Sequence, residues 1–242
     1  MNVFGLSDVG RVRANNEDSF RFEKLGEEQA VFVVCDGMGG AQAGQVASSV
    51  ASSVFIEQLR SYVREKMTVR YMESTLRNAV TFASHDTYQK ANSEEQFYGM
   101  GTTLVGGIYH EGQVMLANIG DSRAYILDEN GLRKVTRDHS LVEELIQHGE
   151  ITEEQARNHP RRNIITRALG PERRPKPDIY PLTLEKGQKL LLCSDGLTGM
   201  LETEEIKELL MKEDVSEVCR GLVDAANENG GTDNITVLIL VA

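Results

Sequence analysis

Cysteine, positive charge, long apolar runs and linker-like sequence are all scarce in this chain, and each shortage removes a class of protein. The cysteines are three, Cys35, Cys193 and Cys219, an odd number set in apolar or helical contexts. That suits a reducing cytosol better than a disulfide framework. No stretch is apolar for long enough to span a membrane, and the N-terminus runs straight into patterned sequence with Asp8, Arg11 and Arg13 rather than into a secretory signal. Lysine and arginine number 26 against 37 acids, a formal net charge of -11. On that balance no cationic cluster offsets the acidic background, so neither nonspecific nucleic-acid binding nor docking on anionic membrane is expected. No Pro/Ser/Gly linker or low-complexity segment divides the 242 residues, and the expectation is one domain over 1–242, soluble and cytoplasmic.

What is present is a regular alternation of strand and helix patterns. Short strands are expected at 3–7 and around Phe20 and Phe22, followed by a strand at 31–35 shielded on both faces, because Val31 to Cys35 leave no polar alternation. Apolar residues at four-residue spacing predict helices over 43–67 and 68–91. Four strands, 103–109, 113–119, 123–127 and 132–136, follow with turn signals at Glu111-Gly112 and Asn130-Gly131, the pattern of an antiparallel meander. Residues 140–170 are polar and locally helical, with Thr152 and Gln155 spaced as a capping box, and read as an insertion rather than core. Strands at 178–184 and 189–194, helices at 203–211 and 214–229 with Asp214 as N-cap, and a last buried strand ITVLILV complete an α+β pattern with helices layered on sheets.

The stretch VFVVCDGMGGAQAG, residues 31–44, delivers Asp36 to the end of a buried strand and into a glycine-rich turn. Gly37, Gly39, Gly40 and Gly44 permit positive φ and close backbone approach there. LLLCSDG at 190–196 repeats the arrangement with Asp195, VMLANIGDS ends in Asp121, and Asp233 introduces the final strand from GGTDN. Four aspartates at strand ends, without histidine or thiolate at metal spacing, specify a hard cation with oxygen ligands, magnesium or manganese rather than zinc. Converging carboxylates repel one another unless divalent ions neutralise them. Two ions sharing a carboxylate, roughly 3.5 to 4 Å apart, imply hydrolysis at phosphorus by a bridging water. Arg13 is a candidate phosphate holder, since a guanidinium offers a planar fork of donors. Glu17 and Asp18 can orient metal-bound water.

The motif series GLSDVGRVRANNEDSF, VVCDGMGG, GTT, ANIGDSRAY, TRDHS, LLLCSDGLT and GGTDNITV, spanning Gly5 to Val237, resembles the metal-dependent serine/threonine protein phosphatases of type 2C in their compact bacterial form. The resemblance implies a four-layer α-β-β-α sandwich, two antiparallel sheets face to face with a helical pair outside each. It implies that Asp36 bridges two ions, with the Gly37 carbonyl as a further ligand of one and Asp195 and Asp233 on the other, and that Asp121 with Asp195 holds a weaker third. Arg13 then matches the phosphate-binding arginine, and Glu17 and Asp18 the water-orienting acids. Residues 145–167 correspond to a flap beside the site, and HPRRN within it could touch a phosphopeptide. Some members place a histidine after DG to protonate the leaving alkoxide, where this chain has Met38. A third-metal water at Asp121, a metal-bound water near Asp18, His139 or His159 could serve instead. The partners implied are phosphoproteins made by a serine/threonine kinase, the kinase itself among them, and a monomer is expected. A non-catalytic phosphoprotein-binding module on the same fold would have lost the metal aspartates, which are all present here.

Overall fold

Residues 31–35 have apolar side chains on both sides of a strand, and the fold gives each side something to pack on. In the computed structural model, which describes residues 1–39 and 42–242, Val31, Val33 and Cys35 face one helical layer while Phe32 and Val34 face a second sheet. Gly40 and Ala41, assigned above to the glycine-rich turn, lie outside the described residues.

The chain opens with β1 (Asn2–Asp8), β2 (Asp18–Gly26) and β3 (Gln29–Met38), then a helical pair, α1 (Ala43–Tyr62) and α2 (Val69–Ala91). Next come β4 (Gly101–Thr102), β5 (Leu104–His110), β6 (Gln113–Ile119), β7 (Arg123–Asp128) and β8 (Gly131–Lys134). Two short helices, α3 (Leu141–Gln147) and α4 (Glu153–Arg157), precede β9 (Asp178–Thr183) and β10 (Lys189–Cys193). The chain ends with α5 (Asp195–Thr198), a second pair, α6 (Thr203–Leu210) and α7 (Val215–Glu228), and β11 (Ile235–Val241). One antiparallel sheet has the order β1-β11-β10-β7-β8, the other β2-β3-β5-β6-β9 with β4 beside β3.

Three apolar layers hold these pieces together. Phe55, Leu59, Met72 and Leu76 of α1 and α2 pack on the outer face of the β3 sheet. Phe32, Val34, Tyr109 and Leu116 meet Ile126, Leu190, Leu192, Leu238 and Leu240 between the sheets. Leu191, Val237 and Ile239 pack outward on Ile206, Val218, Leu222 and Ala226 of α6 and α7. The expected four-layer sandwich is therefore the observed one. Full burial contributes about 1.5–3 kcal/mol per large side chain, so the middle layer alone outweighs any surface ion pair.

Four local expectations need correction. The meander over 103–136 is two hairpins in different sheets: β5 pairs β6 and β7 pairs β8, and the chain crosses between sheets at residues 120–122. Gly120, at φ +101°, supplies the bend that a side chain would resist. Asp36 lies within β3, not in a turn beyond it, because Gly37 and Met38 still pair with Thr102 and Gly101 of β4. Asp195 opens α5 rather than ending a strand. The first helix stops at Tyr62 instead of near Met67: Val63 is extended, and Thr68 caps α2 by accepting from the Tyr71 N–H.

Truncating Phe32, fully buried between the sheets, should lower the unfolding free energy by about 3–5 kcal/mol in a urea titration. Phe82→Ala, at an exposed helix position, should change it by no more than about 0.5 kcal/mol.

Candidate active site

Both sheets end at one cleft of about 380 Å³, and the aspartates singled out in the sequence meet there. Asp36 and Gly37 come from β3, Asp121 from the crossover between β6 and β7, Asp195 from the start of α5 and Asp233 from the turn before β11. Arg13 and Glu17 reach the same cleft from the loop between β1 and β2, and Met38, Thr103, Asn163 and Ile165 complete much of its wall. Asp18 stands directly opposite Asp36 in the β2–β3 register. Of the histidines considered as proton donors, neither His139 nor His159 lines the cleft.

Local chemistry explains how each acid is held. The Asp36 N–H donates to Thr103 Oγ1 at 2.9 Å, while its carbonyl accepts from the Thr103 N–H and the Thr102 hydroxyl, each at 2.9 Å. Thr103 Oγ1 is in turn 2.7 Å from Ser122 Oγ, which ties the GTT and GDS motifs together. Gly37 and Gly44 are glycines for closeness rather than for positive φ: a Cβ on Gly37 would sit 2.1 Å from the Gly44 carbonyl oxygen, and one on Gly44 2.8 Å from the Glu17 carboxyl. Gly39 alone of the described glycines in this stretch has a positive φ, +138°. Arg13 Nη2 donates to Asp233 Oδ2 at 2.8 Å, with its side chain 49% exposed, so most of its donors are free for another anion.

Three residues that build the site escaped the sequence reading of metal ligands and their neighbours. Asn234, buried beside Asp233, donates through Nδ2 to the carbonyls of Val9 and Asn15 at 2.9 Å each and accepts from the Glu17 N–H at 2.8 Å. One side-chain amide thus closes the loop that carries Arg13. Ser194 Oγ donates to Asp18 Oδ2 at 2.7 Å. His139, considered above only as a proton donor, is a scaffold residue: its Nδ1 accepts from the Gly120 N–H at 3.2 Å, its own N–H donates to the Gly120 carbonyl at 2.9 Å, and its Nε2 is 3.2 Å from Asp178. The adjacency of Asn234 to Asp233 in GGTDN was the available signal; the partners, more than two hundred residues away, were not.

Gathering these acids has an electrostatic cost. Burial pushes Asp36 well above the usual carboxylate range, with Asp18, Asp195, Asp121 and Asp233 adding to the shift. Asp18 is pushed up to about 7, first by burial and then by Asp195 and Asp233, against the opposing effect of the nearby Thr236 and Ser194 hydroxyls. Asp121 also rises to about 7, through burial and then Asp195 and Asp138. Asp195 and Glu17 rise as well, both led by burial. The donor set fits a hard divalent cation: every ligating group is an oxygen, the acids raise one another's pKa, and Asp18 Oδ1 is buried without a hydrogen-bond partner. Among the described residues no three His, Cys, Asp or Glu side chains already close on a single ion position, so water would have to complete each coordination shell.

The family description "Protein phosphatase 2C" matches residues 10–236. The chain belongs to the protein phosphatase 2C family. Within it, the "Serine/threonine phosphatase stp" of Listeria monocytogenes serovar 1/2a is 42% identical over 235 residues, 97% of this chain and 93% of that protein. The crystal structure of serine/threonine phosphatase Stp1 from Staphylococcus aureus superposes with a TM-score of 0.91 at 36% identity, covering 99% of this chain and 94% of that one. The catalytic domain of the phosphatase PstP, solved with two manganese ions, has a TM-score of 0.84 at 33% identity, covering 98% of this chain and 96% of that one. The 2C family's sandwich is thus the frame in which these aspartates sit.

Two measurements follow from this geometry. Carboxylates whose folded pKa is raised hold protons that the unfolded chain has released, so stability without divalent ions should fall as pH rises from about 3.8 towards about 7. Melting curves in a chelator should therefore show a lower Tm at pH 7 than at pH 5, and manganese should raise Tm more at pH 7, where the ligands are ionised. A Tm in chelator that climbs over this range would contradict the assignment. Separately, Asn234→Ala leaves two carbonyls and one N–H without their partner and should cost about 1–3 kcal/mol in the same melts.

Proposed function

We propose that this protein is a metal-dependent phosphatase that removes phosphate from serine and threonine side chains of proteins, and so reverses a serine/threonine kinase. The observation that carries the reading is the convergence of Asp36, Asp121, Asp195 and Asp233 on one cleft with Arg13 among them, in a member of the protein phosphatase 2C family. Relatives described as serine/threonine phosphatases, and one solved with two manganese ions, support it.

Asp36 would bridge two magnesium or manganese ions, with the Gly37 carbonyl on one and Asp195 and Asp233 on the other, and Asp121 with Asp195 would hold a weaker third. The chemistry such ions supply when bound is charge neutralisation and a more acidic water for in-line attack at phosphorus. Arg13 offers its open donors to the phosphate oxygens while Asp233 fixes one of them. Glu17 and the unpartnered Oδ1 of Asp18 accept hydrogen bonds from water and so orient the nucleophile. Met38 has no proton to give. His139 has both ring nitrogens engaged, so the leaving alkoxide takes its proton from water in the cleft. The whole chain acts as one catalytic unit in which residues 145–167 form a flap. Its partners are phosphoproteins, the cognate kinase included, and neither nucleic acid nor membrane. No helix of the described residues is long and apolar enough to cross a membrane. The setting we propose is a cytoplasmic monomer.

With millimolar manganese the protein should hydrolyse a phosphothreonine peptide and p-nitrophenyl phosphate. Asp36→Ala should lose about 100-fold or more in kcat, the scale on which one electrostatic group in a transition state acts. Arg13→Ala should chiefly raise KM, about tenfold. No turnover in manganese, or full activity of Asp36→Ala, would refute the reading.

A further inference from the structure

The expectation that no cationic cluster offsets the acidic background fails at one place. Between residues 157 and 177 seven arginines and lysines stand against a single acid, Glu172, a local balance of +6 in a chain of -11. Arg157 and Arg167 are engaged, by Glu202 and Asp178. Arg161, Arg162, Arg173, Arg174 and Lys176 are exposed, and among the described residues no ion pair reaches them.

Arg161 and Arg162 do not line the cleft themselves but lead directly into the segment that does. Asn163 and Ile165, which follow them, line it together with Arg13, Asp36 and Asp121. The segment is fixed by its backbone: the Leu141 N–H donates to the Ile164 carbonyl at 2.9 Å, the Thr166 N–H to the His139 carbonyl at 2.8 Å, and the Ile164 N–H to the Arg161 carbonyl at 3.2 Å. Successive Cα atoms are about 3.8 Å apart, and an extended peptide advances about 3.3–3.6 Å per residue. Because Asn163 shares the cleft with Arg13, a peptide held by its phosphoresidue at Arg13 can carry side chains about three residues away, roughly 10 Å along the chain, to the segment that bears Arg161 and Arg162. A chain this acidic repels acidic peptides at long range. A patch of unpaired arginines beside the cleft removes that repulsion locally, and their planar forks match a carboxylate.

We propose that Arg161 and Arg162 select phosphoprotein segments carrying aspartate or glutamate within about three residues of the phosphorylated side chain. This rests on the phosphatase reading above and adds a substrate class to it.

The test compares two phosphothreonine peptides of equal length, one with glutamates and one with lysines at the flanking positions, and uses the ratio of their kcat/KM values as readout. The native protein should favour the acidic peptide about three- to tenfold, the effect of one or two exposed ion pairs. That ratio should shrink in about 0.5 M salt, where exposed charges are screened. In the doubly reversed variant Arg161→Glu/Arg162→Glu it should vanish or invert, with p-nitrophenyl phosphate hydrolysis reporting that the variant is folded. A ratio near one for the native protein, or a preference that survives the reversal, would overturn the proposal. So would a ratio near one accompanied by binding to phosphatidylserine vesicles that the reversal abolishes, since the patch would then serve a lipid surface. Absence of turnover on all three substrates would instead sink the phosphatase reading, and the proposal with it.

Discussion

Carboxylates gathered at the ends of two sheets repel one another, and most of what surrounds them is there to hold them against that repulsion. Asp18 and Asp36 face each other across a strand pair, an arrangement of like charges that a sheet ordinarily avoids. Neutral side chains fix the two acids in place: Ser194 Oγ donates to the Asp18 carboxylate, while the Thr102 and Thr103 hydroxyls bind the backbone carbonyl and N–H of Asp36 and Ser122 holds Thr103. Arg13 sits at the open side and engages Asp233, while Arg123, tied to Asp138, offsets only part of the charge on Asp121 and Asp195. A site left under-neutralised by its own side chains is one prepared for positive charge from outside.

The sandwich supplies the rigidity this requires. Each acid lies in a strand or within two residues of one whose apolar residues are locked into a packed layer, so the acids cannot relax apart without opening the core. The glycines near them act on the same principle by omission. Gly196 lets the Asn234 carbonyl come within a distance that any Cβ would forbid, and Gly37 does so for Gly44.

Much of this was legible in the residues. The unbroken apolar runs before Asp36 and Asp195 announced strands covered on both faces, because helices cover one face of each sheet and the other sheet covers the other. The capping residues Thr152 and Asp214 marked helix starts through bonds three residues long. What stayed hidden was long-range. Nothing local says that β6 and β7 belong to different sheets, since a turn signal fixes a bend and not which sheet receives the strand that follows. Asn234 reads as an ordinary turn residue until Val9, Asn15 and Glu17 are seen folded around it. Charge summed over the whole chain concealed the arginines of residues 157–177, because an average cannot report where charge lies.

The strand order sets a schedule for assembly during synthesis. β11 lies in the interior of its sheet between β1 and β10, so β1 has no sheet partner until β11, more than two hundred residues later, has been made. Asn234 enters just ahead of that strand and brings with it the side chain that holds the Val9 and Asn15 carbonyls. Without β11 the β2–β3 pairing can still set Asp18 against Asp36, but β1 and the loop that carries Arg13 lack their partner. Pairing of β1 with β11 brings Asp8 opposite Ile235, and with them the loop of Arg13 and the turn of Asp233 to the two sides of one cleft.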